Sequence, residues 1–428
     1  MFERPQSGEK VLLVQVSLDF LLSASDQQEF RELARSAGAE IVDSVHVIRK
    51  IANSKYLIGK GKAETLRDVI AAKGVELVMF NATLSASQEK NLETLFQCRV
   101  LDRTGLILDI FAQRARSHEG KLQVELAQLR HLSTRLIRGW THLERQKGGI
   151  GLRGPGETQL ETDRRLLGGR IKQITKRLAK VEAQRGLVRA RRKRKGLPIV
   201  AIVGYTNAGK STLFNLLTDA SVYAKDQLFA TLDTTLRKLK DSGHDEVLMT
   251  DTVGFVSNLP HELVAAFKST LQETVEADLL LHVIDSSDPE HIERERHVLD
   301  ILKSIGADEI PTIRVYNKID LTGQPPQVLK QDDNTEAVFV SSLTGEGVDL
   351  LSQSMIRFFY GKTLRATLKI PPQNAKLRAK LFDEAVIVSE DYDEAGNALV
   401  KICLSDKHYQ RLLHQFPLER AILQLIDQ

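Results

Sequence analysis

Cysteine is nearly absent from this chain, which has two among its 428 residues. Cys98 and Cys403 lie far apart, and neither belongs to a CxxC pair or to a Cys/His group with metal-ligand spacing. The sequence therefore argues against a disulfide framework and against a zinc site, and it favours a reducing compartment.

Long apolar runs are also missing. No segment approaches the roughly 20 apolar residues that cross a bilayer, and Gln15, Ser17 and Asp19 interrupt the apolar stretch at 11–22. We therefore expect no secretory signal, no stable membrane association and a cytoplasmic location. The composition, with 42% apolar and 27% charged residues, is typical of a globular protein. At roughly 150 residues per domain, the length predicts about three domains.

Positive charge is concentrated in one segment. Residues 111–195 contain 23 Lys or Arg against 7 Asp or Glu, a local net charge of +16. Because the whole chain carries +4, the remainder carries −12. One basic segment on an acidic body indicates that a single part of the protein contacts nucleic acid. The alternative is a solvated charged face, although such faces usually mix both signs.

The hydrophobic pattern predicts four parts. Residues 1–110 alternate strands (11–18, 41–48, 75–80) with helices (27–36, 63–73, 85–97), which predicts a small α/β domain with a largely parallel sheet. A basic antiparallel helical hairpin is expected over 111–196. Residues 197–361 should form a larger α/β domain of βα units. The tail, 362–428, is expected to be a small α+β domain with strands at 366–370, 384–389 and 398–404 and a helix at 406–414.

The hairpin prediction comes from two apolar seams at heptad-like spacing. One includes Leu122, Leu126 and Leu129, and the other includes Ile171, Ile174 and Leu178. Each helix should be roughly 28 residues, or about 40 Å long. The connection, 148–157, has five glycines and a proline and is expected to be non-helical, with Arg153 free to meet phosphate. The alternative is a flexible tip without function.

The strongest motif is the P-loop at 204–211, between a predicted strand at 199–203 and a helix beginning at Ser211. In this context glycines let backbone N–H groups converge on phosphates, and the helix N-terminus adds partial positive charge. Lys210 should bridge the β- and γ-phosphates, and the Ser211 hydroxyl should ligate Mg²⁺.

Three further segments distinguish GTP from ATP. Asp251, which follows the strand 247–249, can hold a Mg²⁺-bound water, while the Gly254 N–H can sense the γ-phosphate. After the strand 312–316, the Asp320 carboxylate can accept from guanine N1–H and N2, a donor pair that adenine lacks. Residues 341–343 follow another strand and can present an N–H to guanine O6. Together these motifs resemble the TRAFAC class of GTPases.

That resemblance identifies residues 229–235 as switch I, with Thr231 completing the Mg²⁺ shell; Thr234 and Thr235 are competitors for this role. The predicted catalytic residues are Lys210, Thr231 and Gly254, and the metal ligands are Ser211 and Thr231. The full set of predicted nucleotide contacts is Gly204, Tyr205, Thr206, Asn207, Ala208, Gly209, Lys210, Ser211, Thr212, Phe229, Ala230, Thr231, Leu232, Asp233, Asp251, Thr252, Val253, Gly254, Asn317, Lys318, Ile319, Asp320, Ser341, Ser342 and Leu343.

Two residues bear on the mechanism of hydrolysis. Phe255 stands where Ras-like GTPases carry a water-orienting glutamine, so we expect slow hydrolysis until a partner orders the switches. The alternative is that another side chain already supplies that group. Asn207 resembles the asparagine of potassium-stimulated GTPases, and a bound K⁺ and a merely structural role are equally open.

Residues 101–111, 121–129 and 148–157, added to these motifs, make the chain resemble the HflX family over residues 1 to about 360. The resemblance implies a GTPase that binds the large ribosomal subunit and ribosomal RNA, and that splits stalled 70S ribosomes under stress such as heat. In this interpretation residues 1–110 contribute to nucleic-acid or ribosome binding, and residues 197–361 are the P-loop GTPase domain. We expect the protein to be a monomer. A GTPase that assists assembly of the large subunit, and a protein-binding signalling switch, are the alternatives.

Overall fold

The protein is described by a computed structural model covering residues 8–18, 23–139, 155–194, 197–218, 228–229, 235–240, 247–252, 254–256, 268–332, 335–360, 363–384, 386–393, 395–405 and 414. Four predicted features fall outside these residues. They are most of the glycine-rich tip (148–154), Thr231 with its neighbours at 230–234, Val253, and nearly all of the C-terminal helix (406–413).

The first sheet is fully parallel, with strand order β2-β1-β3-β4. Its strands are Lys10–Leu18 (β1), Glu40–Arg49 (β2), Leu77–Phe80 (β3) and Arg99–Leu101 (β4). Its helices are Ala24–Ser36 (α1), Lys60–Lys73 (α2), Ala86–Phe96 (α3) and Arg103–Arg114 (α4). The predicted parallel α/β arrangement of this segment is confirmed, and apolar cores lie on both faces of the sheet.

Short polar side chains fix where these helices begin. The Ser23 hydroxyl accepts the Asp26 N–H at 3.0 Å. Ser85 and Gln88 form a reciprocal capping box, with hydrogen bonds of 2.9 and 3.2 Å. A cap of this kind stabilises a helix by about 1 kcal/mol, because it satisfies N–H groups that have no partner within the helix.

Helix α4 and the start of the hairpin differ from the prediction. Asp102 caps this helix by accepting the Gly105 N–H at 2.8 Å. Nearly all of its apolar side chains are buried in the first core, so it lacks the one-sided pattern that marks a surface helix. The boundary drawn between residues 110 and 111 therefore falls inside α4, and the hairpin begins later.

The hairpin, called the arm below, consists of His118–Gly139 (α5) and Pro155–Arg194 (α6). The predicted seams meet, since Leu122 and Leu126 pack with Ile174, and Leu129, Ile171 and Leu178 flank them. Ion pairs join Glu119 to Arg185 at 2.9 Å and Glu125 to Arg170 at 2.7 Å. The partner numbers fall in α6 as they rise in α5, so the two helices run antiparallel, as predicted.

Helix α6 begins earlier than predicted and is longer. It has 40 residues, or about 60 Å at 1.5 Å per residue. Pro155 opens it, so residues 155–157 of the predicted non-helical connection are helical. Proline suits the first turn because its fixed φ is already helical and its missing N–H would have no partner there. At the other end the helix continues through the mostly basic segment 189–194, close to the predicted end of the hairpin at residue 196.

The central sheet has the strand order β10-β11-β9-β8-β5-β7-β6. Its strands are Ile199–Gly204 (β5), Thr235–Lys238 (β6), Leu248–Asp251 (β7), Leu279–Asp285 (β8), Thr312–Asn317 (β9), Gln327–Asp332 (β10) and Thr335–Phe339 (β11). The edge pairs β6–β7 and β10–β11 are antiparallel, and the others are parallel. The associated helices are Lys210–Thr218 (α7), Lys268–Val275 (α8), His291–Ile305 (α9), Ile319–Thr322 (α10) and Val348–Tyr360 (α11).

The register of the central sheet brings the predicted motifs to one edge. Ile202 of β5 lies beside Asp251, the last residue of β7. On the other side of β5, Gly204 pairs with Val283, and Asp285 of β8 pairs with Asn317 of β9. The carboxyl ends of four neighbouring strands therefore face the same crevice, the usual ligand position in open α/β sheets.

The third sheet is antiparallel and has the order β12-β14-β13. It contains Thr363–Ile370 (β12), Val386–Tyr392 (β13) and Ala398–Ser405 (β14), and the helix Ala375–Glu384 (α12) precedes β13. The predicted α+β character is confirmed. The strand predicted from residue 384 was placed too early, because Glu384 is the last residue of α12.

We expect the substitution Ile174→Ala to lower the free energy of unfolding by about 2–4 kcal/mol, because Ile174 is fully buried where α5 meets α6 and its loss leaves a cavity. Urea denaturation followed by circular dichroism measures the change. Lys176→Ala, at an exposed position on the same helix, is the control and should change the free energy by less than about 0.5 kcal/mol. Equal losses in the two variants would contradict the seam.

Candidate nucleotide-binding site

The P-loop joins β5 to α7, and its backbone requires unusual conformations. Gly204 and Gly209 have φ of 148° and 92°, and Asn207 has 62°. A side chain at Gly204 would collide with the Val283 carbonyl of β8. Glycine is needed here for both conformation and close approach. The loop also folds around Lys210, whose Nζ donates to the Tyr205 carbonyl at 2.6 Å.

The Asn317 amide joins three of the predicted segments. Its Nδ2 donates to the Ala208 carbonyl of the P-loop at 2.7 Å and to the Ser342 hydroxyl at 2.9 Å. Its Oδ1 accepts the Ser342 N–H at 2.8 Å. A Cβ at Gly209 would strike this amide. Asn317 is completely buried, so its contribution is to hold the loops together.

Asp320 is exposed and lies next to the segments that Asn317 joins. Its Oδ1 accepts the Ser341 hydroxyl at 2.6 Å, which orients the carboxylate. Lys318 adopts a left-handed conformation with φ of 68°, and its Nζ pairs with Asp285 at 2.6 Å. Leu343, which is 80% exposed, follows Ser342.

Hard oxygen donors meet on the phosphate side of the P-loop. The Ser211 hydroxyl donates to Asp251 Oδ2 at 2.8 Å, and Asp251 is completely buried at the end of β7. Thr252 is fixed by donating to the Ile202 carbonyl at 2.5 Å. A hydroxyl and a carboxylate at this distance match the oxygen ligands that Mg²⁺ prefers, so these residues fit that ion.

Gly254 and Phe255 lie directly against the P-loop. A Cβ at Gly254 would stand 2.7 Å from Thr206 Cγ2 and 3.1 Å from Lys210 Nζ. Phe255 donates its N–H to the Gly204 carbonyl at 3.2 Å and accepts the Thr206 N–H at 2.7 Å. Its ring is 3% exposed and lies in an apolar cluster with Tyr205 and Leu271. The Phe255 side chain therefore packs into the body of the protein.

Lys210 carries the clearest electrostatic perturbation of the site. Burial lowers its pKa to about 8, while the nearby Asp251 carboxylate opposes that shift. The cause is the cost of keeping an ammonium group away from water. A phosphate group beside it would favour the charged form and raise the pKa again.

The structure brings most of the predicted site residues together. All P-loop residues, Asp251, Thr252, Gly254, residues 317–320 and residues 341–343 line the edge described above. Phe229 is an exception, since its side chain is 2% exposed and packs edge-to-face on Phe111 of α4, with ring centroids 4.6 Å apart. Ala230, Thr231, Leu232, Asp233 and Val253 lie outside the described residues.

Two supporting residues at the end of β8 were missed. Besides Asp285, the partner of Lys318, Ser286 donates its hydroxyl to the Asn317 carbonyl at 2.6 Å. The signal was a run from Leu279 to Ile284, apolar except for His282, that is followed by Asp-Ser, the same strand-then-polar pattern as in the other motifs.

Family models match the chain in four consecutive parts. Residues 24–112 match "GTP-binding GTPase N-terminal", 114–192 match "GTP-binding GTPase Middle Region", 199–318 match "50S ribosome-binding GTPase" and 327–419 match "HflX C-terminal domain". GTPase HflX of Escherichia coli strain K12 is 51% identical over 419 residues, which cover 97% of this chain and 98% of that protein. The chain belongs to the HflX family of GTPases.

Other HflX relatives align over similar lengths. GTPase HflX of Caldanaerobacter subterraneus is 45% identical over 92% of this chain and 91% of its own. The family models and these relatives confirm the resemblance to HflX inferred from the motifs.

Among solved structures, the GDP complex named SsGBP is 22% identical to this chain, has a TM-score of 0.46, and is matched over 82% of this chain and 98% of that one. Among the described residues, no helix is long and apolar enough to span a membrane.

We expect GDP binding at pH 8 to take up about half a proton, because about half of the Lys210 amines are neutral at a pH equal to their pKa. Isothermal titration in buffers of different ionisation enthalpy measures the uptake. At pH 7 only about one tenth of the amines are neutral, so uptake should be small. The same uptake at both pH values would show that Lys210 is not its source.

Proposed function

We propose that the protein binds GTP with Mg²⁺ at this edge and hydrolyses it. Gly204, Lys210 and the intervening N–H groups hold the phosphates, and Asp320 recognises guanine. Support comes above all from Asn317, whose amide ties the P-loop to the base-side segment at Ser342. A phosphate site and a base site are thereby held at a fixed separation by one buried side chain.

Ser211 and, by resemblance, Thr231 hold the Mg²⁺, with Asp251 behind Ser211. When bound, Mg²⁺ neutralises charge on the phosphate oxygens. Lys210 adds its own charge there, and the Gly254 N–H contacts the γ-phosphate. Asn207 is exposed, with φ of 62°, and is the residue that a K⁺ would contact. Hydrolysis rates in KCl and NaCl separate that role from a structural one.

Hydrolysis by the protein alone should be slow. The residue after Gly254 is Phe255, whose ring is buried and cannot orient a water molecule at the phosphate. We propose that a partner orders the switch segments and completes the site. Fast single-turnover hydrolysis without a partner would refute this dependence.

The proposed partner is the large ribosomal subunit, in accordance with the family description of residues 199–318. The arm supplies a surface for RNA, because Lys172, Lys176 and Lys180 are exposed on α6 at intervals of four residues, away from the Ile174 seam. Such lysines contact phosphates and make binding depend on salt. Because that partner is ribosomal, we expect the protein in the cytoplasm.

The function we propose is the splitting of stalled 70S ribosomes under stress such as heat, with hydrolysis aiding release. Splitting requires tighter binding to the free subunit than to the intact ribosome, by about 5 kcal/mol for a near-complete shift. GTP binding should therefore drive splitting. Assistance in assembly of the large subunit is the alternative, since it would use the same basic arm.

One experiment tests both parts of this proposal. GTPase rates are measured with and without large subunits, and 70S ribosomes are sedimented with the protein and a nonhydrolysable GTP analogue. Stimulation together with the appearance of free subunits supports splitting. Stimulation without free subunits would favour the assembly role, and no stimulation would remove the ribosome as the activating partner.

We expect Asp320→Asn to lower GTP affinity by at least about 100-fold, because an amide cannot accept both guanine donors. Affinity for XTP should rise, since xanthine presents a carbonyl where guanine has its amino group. Fluorescent-nucleotide competition measures both. Asp349→Asn, at an exposed position on α11, is the control and should leave both affinities unchanged. Equal loss of GTP and XTP binding would contradict base recognition by Asp320.

We expect replacement of Lys172, Lys176 and Lys180 by Gln to weaken binding to large subunits. The slope of log K against log [salt] should become shallower by the amount that corresponds to about three phosphate contacts. Binding is measured by cosedimentation over a salt series. The control replaces Lys303, Lys376 and Lys401, three exposed lysines outside the arm, and carries the same change in net charge. If both triple variants behave alike, overall charge and not the arm governs binding.

A further inference from the structure

The P-loop contacts the N-terminal unit, which consists of β1–β4 and α1–α4, through the side chain of Tyr205. The Tyr205 hydroxyl donates to Glu29 Oε2 of α1. Both residues are 6% exposed, so this hydrogen bond is shielded from water. A shielded hydrogen bond to a charged group is worth more than a neutral one at the surface. The phosphate-binding loop is therefore directly attached to another unit.

The same carboxylate is paired on its other side. Arg103, the first residue of α4, donates from Nη2 to Glu29 Oε1. Arg103 is 7% exposed. Glu29 thus lies between the P-loop tyrosine and the start of α4, and losing either partner would disturb the charge balance of a buried group.

The residue before Arg103 connects to the arm. Asp102 caps α4, accepts the Leu84 N–H at 3.2 Å, and accepts Arg135 Nη2 of α5 at 2.7 Å. Asp102 is 1% exposed. Two consecutive residues, called the Asp102–Arg103 junction below, therefore join the P-loop on one side and the arm on the other. They belong to the 101–111 stretch whose role the nucleotide site leaves unexplained.

Other contacts strengthen this interface around Tyr205. The Arg294 guanidinium of α9 lies over the Tyr205 ring, 4.8 Å from its centroid, and also donates to Ser25 of α1. Leu228 and Phe229, at the start of switch I, and Val256, which follows Phe255, are buried in the same core as α1 and α4. The start of switch I and the segment after Gly254 are therefore packed against the N-terminal unit.

We propose that Glu29 is a positioning residue that couples nucleotide state to arm orientation. Through the Tyr205 hydroxyl it links the P-loop to the Asp102–Arg103 junction, so a shift of the P-loop or switches alters how the arm is held. Coupling of this kind is reciprocal, so fixing the arm changes nucleotide affinity by the same factor. This inference goes beyond the proposed function and does not require the ribosome.

The test measures arm orientation in the whole chain with spin labels. Glu182 of α6 and Asp300 of α9, both exposed, are replaced by cysteine for labelling, in a background where Cys98 and Cys403 are alanine. Electron double resonance gives the distance distribution with saturating GDP and with a nonhydrolysable GTP analogue. We expect the mean distance to differ between the two nucleotides in this background. In Glu29→Gln and Tyr205→Phe the two distributions should coincide.

The C-terminal sheet offers a matched control. There Glu390 pairs with Arg378 at 2.6 Å and accepts the Tyr392 hydroxyl at 3.2 Å, the same three groups as at Glu29. Glu390→Gln and Tyr392→Phe should keep the nucleotide-dependent difference. Thermal melting checks that all variants fold. If Glu29→Gln gives no clear result, Tyr205→Phe, which removes only one oxygen atom, shows whether the distance difference requires this hydrogen bond.

Two outcomes overturn the proposal. One is a nucleotide-dependent difference that persists in both Glu29→Gln and Tyr205→Phe. The other is the absence of any difference in the labelled background, which would mean that the arm does not respond to the nucleotide. Neither outcome bears on ribosome binding by the exposed lysines, so failure here and failure of the proposed function are distinguishable.

Discussion

The geometry of the nucleotide edge depends on one buried amide. Asn317 makes three hydrogen bonds to two other segments, and each is worth about 1 kcal/mol net. Removing the amide would cost more than their sum, because the Ala208 carbonyl and the Ser342 groups would be left unpaired away from water. The P-loop approaches this amide so closely that a side chain at Gly209 would collide with it, and Asp320 follows Asn317 by three residues. Lys210 and Asp251 then meet at the phosphate side of the loop it holds.

Most of this edge could be predicted from the order of strands and motifs. A run of apolar residues followed by a polar one marks the carboxyl end of a buried strand, and parallel strands bring those ends together. The same logic predicted three of the four strands of the first sheet within one or two residues, but it did not predict the three-residue strand β4. Phe229 shows where prediction from strand and motif order fails. A switch motif identifies neighbours along the chain, but whether a side chain faces the nucleotide or a core in another unit is decided by tertiary packing.

From the sequence, Asp102 and Arg103 were identified only as part of the 101–111 stretch that resembles the HflX family. The local pattern could identify Asp102 as a helix cap. However, Arg135, the partner of Asp102, and Glu29, the partner of Arg103, are both distant along the chain, so these contacts could not be predicted. Burial raises the pKa of the Asp102 carboxyl, while its hydrogen bonds and nearby His131 oppose that shift. A buried charged group is tolerated only where its partners surround it. Such a network stabilises one arrangement of units over others, and a single sequence does not disclose which.

The length of α6 gives the junction a mechanical consequence. From Arg185, which pairs with the first turn of α5, to Pro155 there are 30 residues, or about 45 Å of helix. A rigid rod of that length acts as a lever, so a rotation of about 5° at its base sweeps the far end through about 4 Å. A displacement of a fraction of an ångström at the junction then becomes a movement of several ångströms at Pro155, the first residue of α6. The packed seam of Leu122, Leu126 and Ile174 stiffens the arm where α5 meets α6, and a flexible arm would not transmit such a rotation.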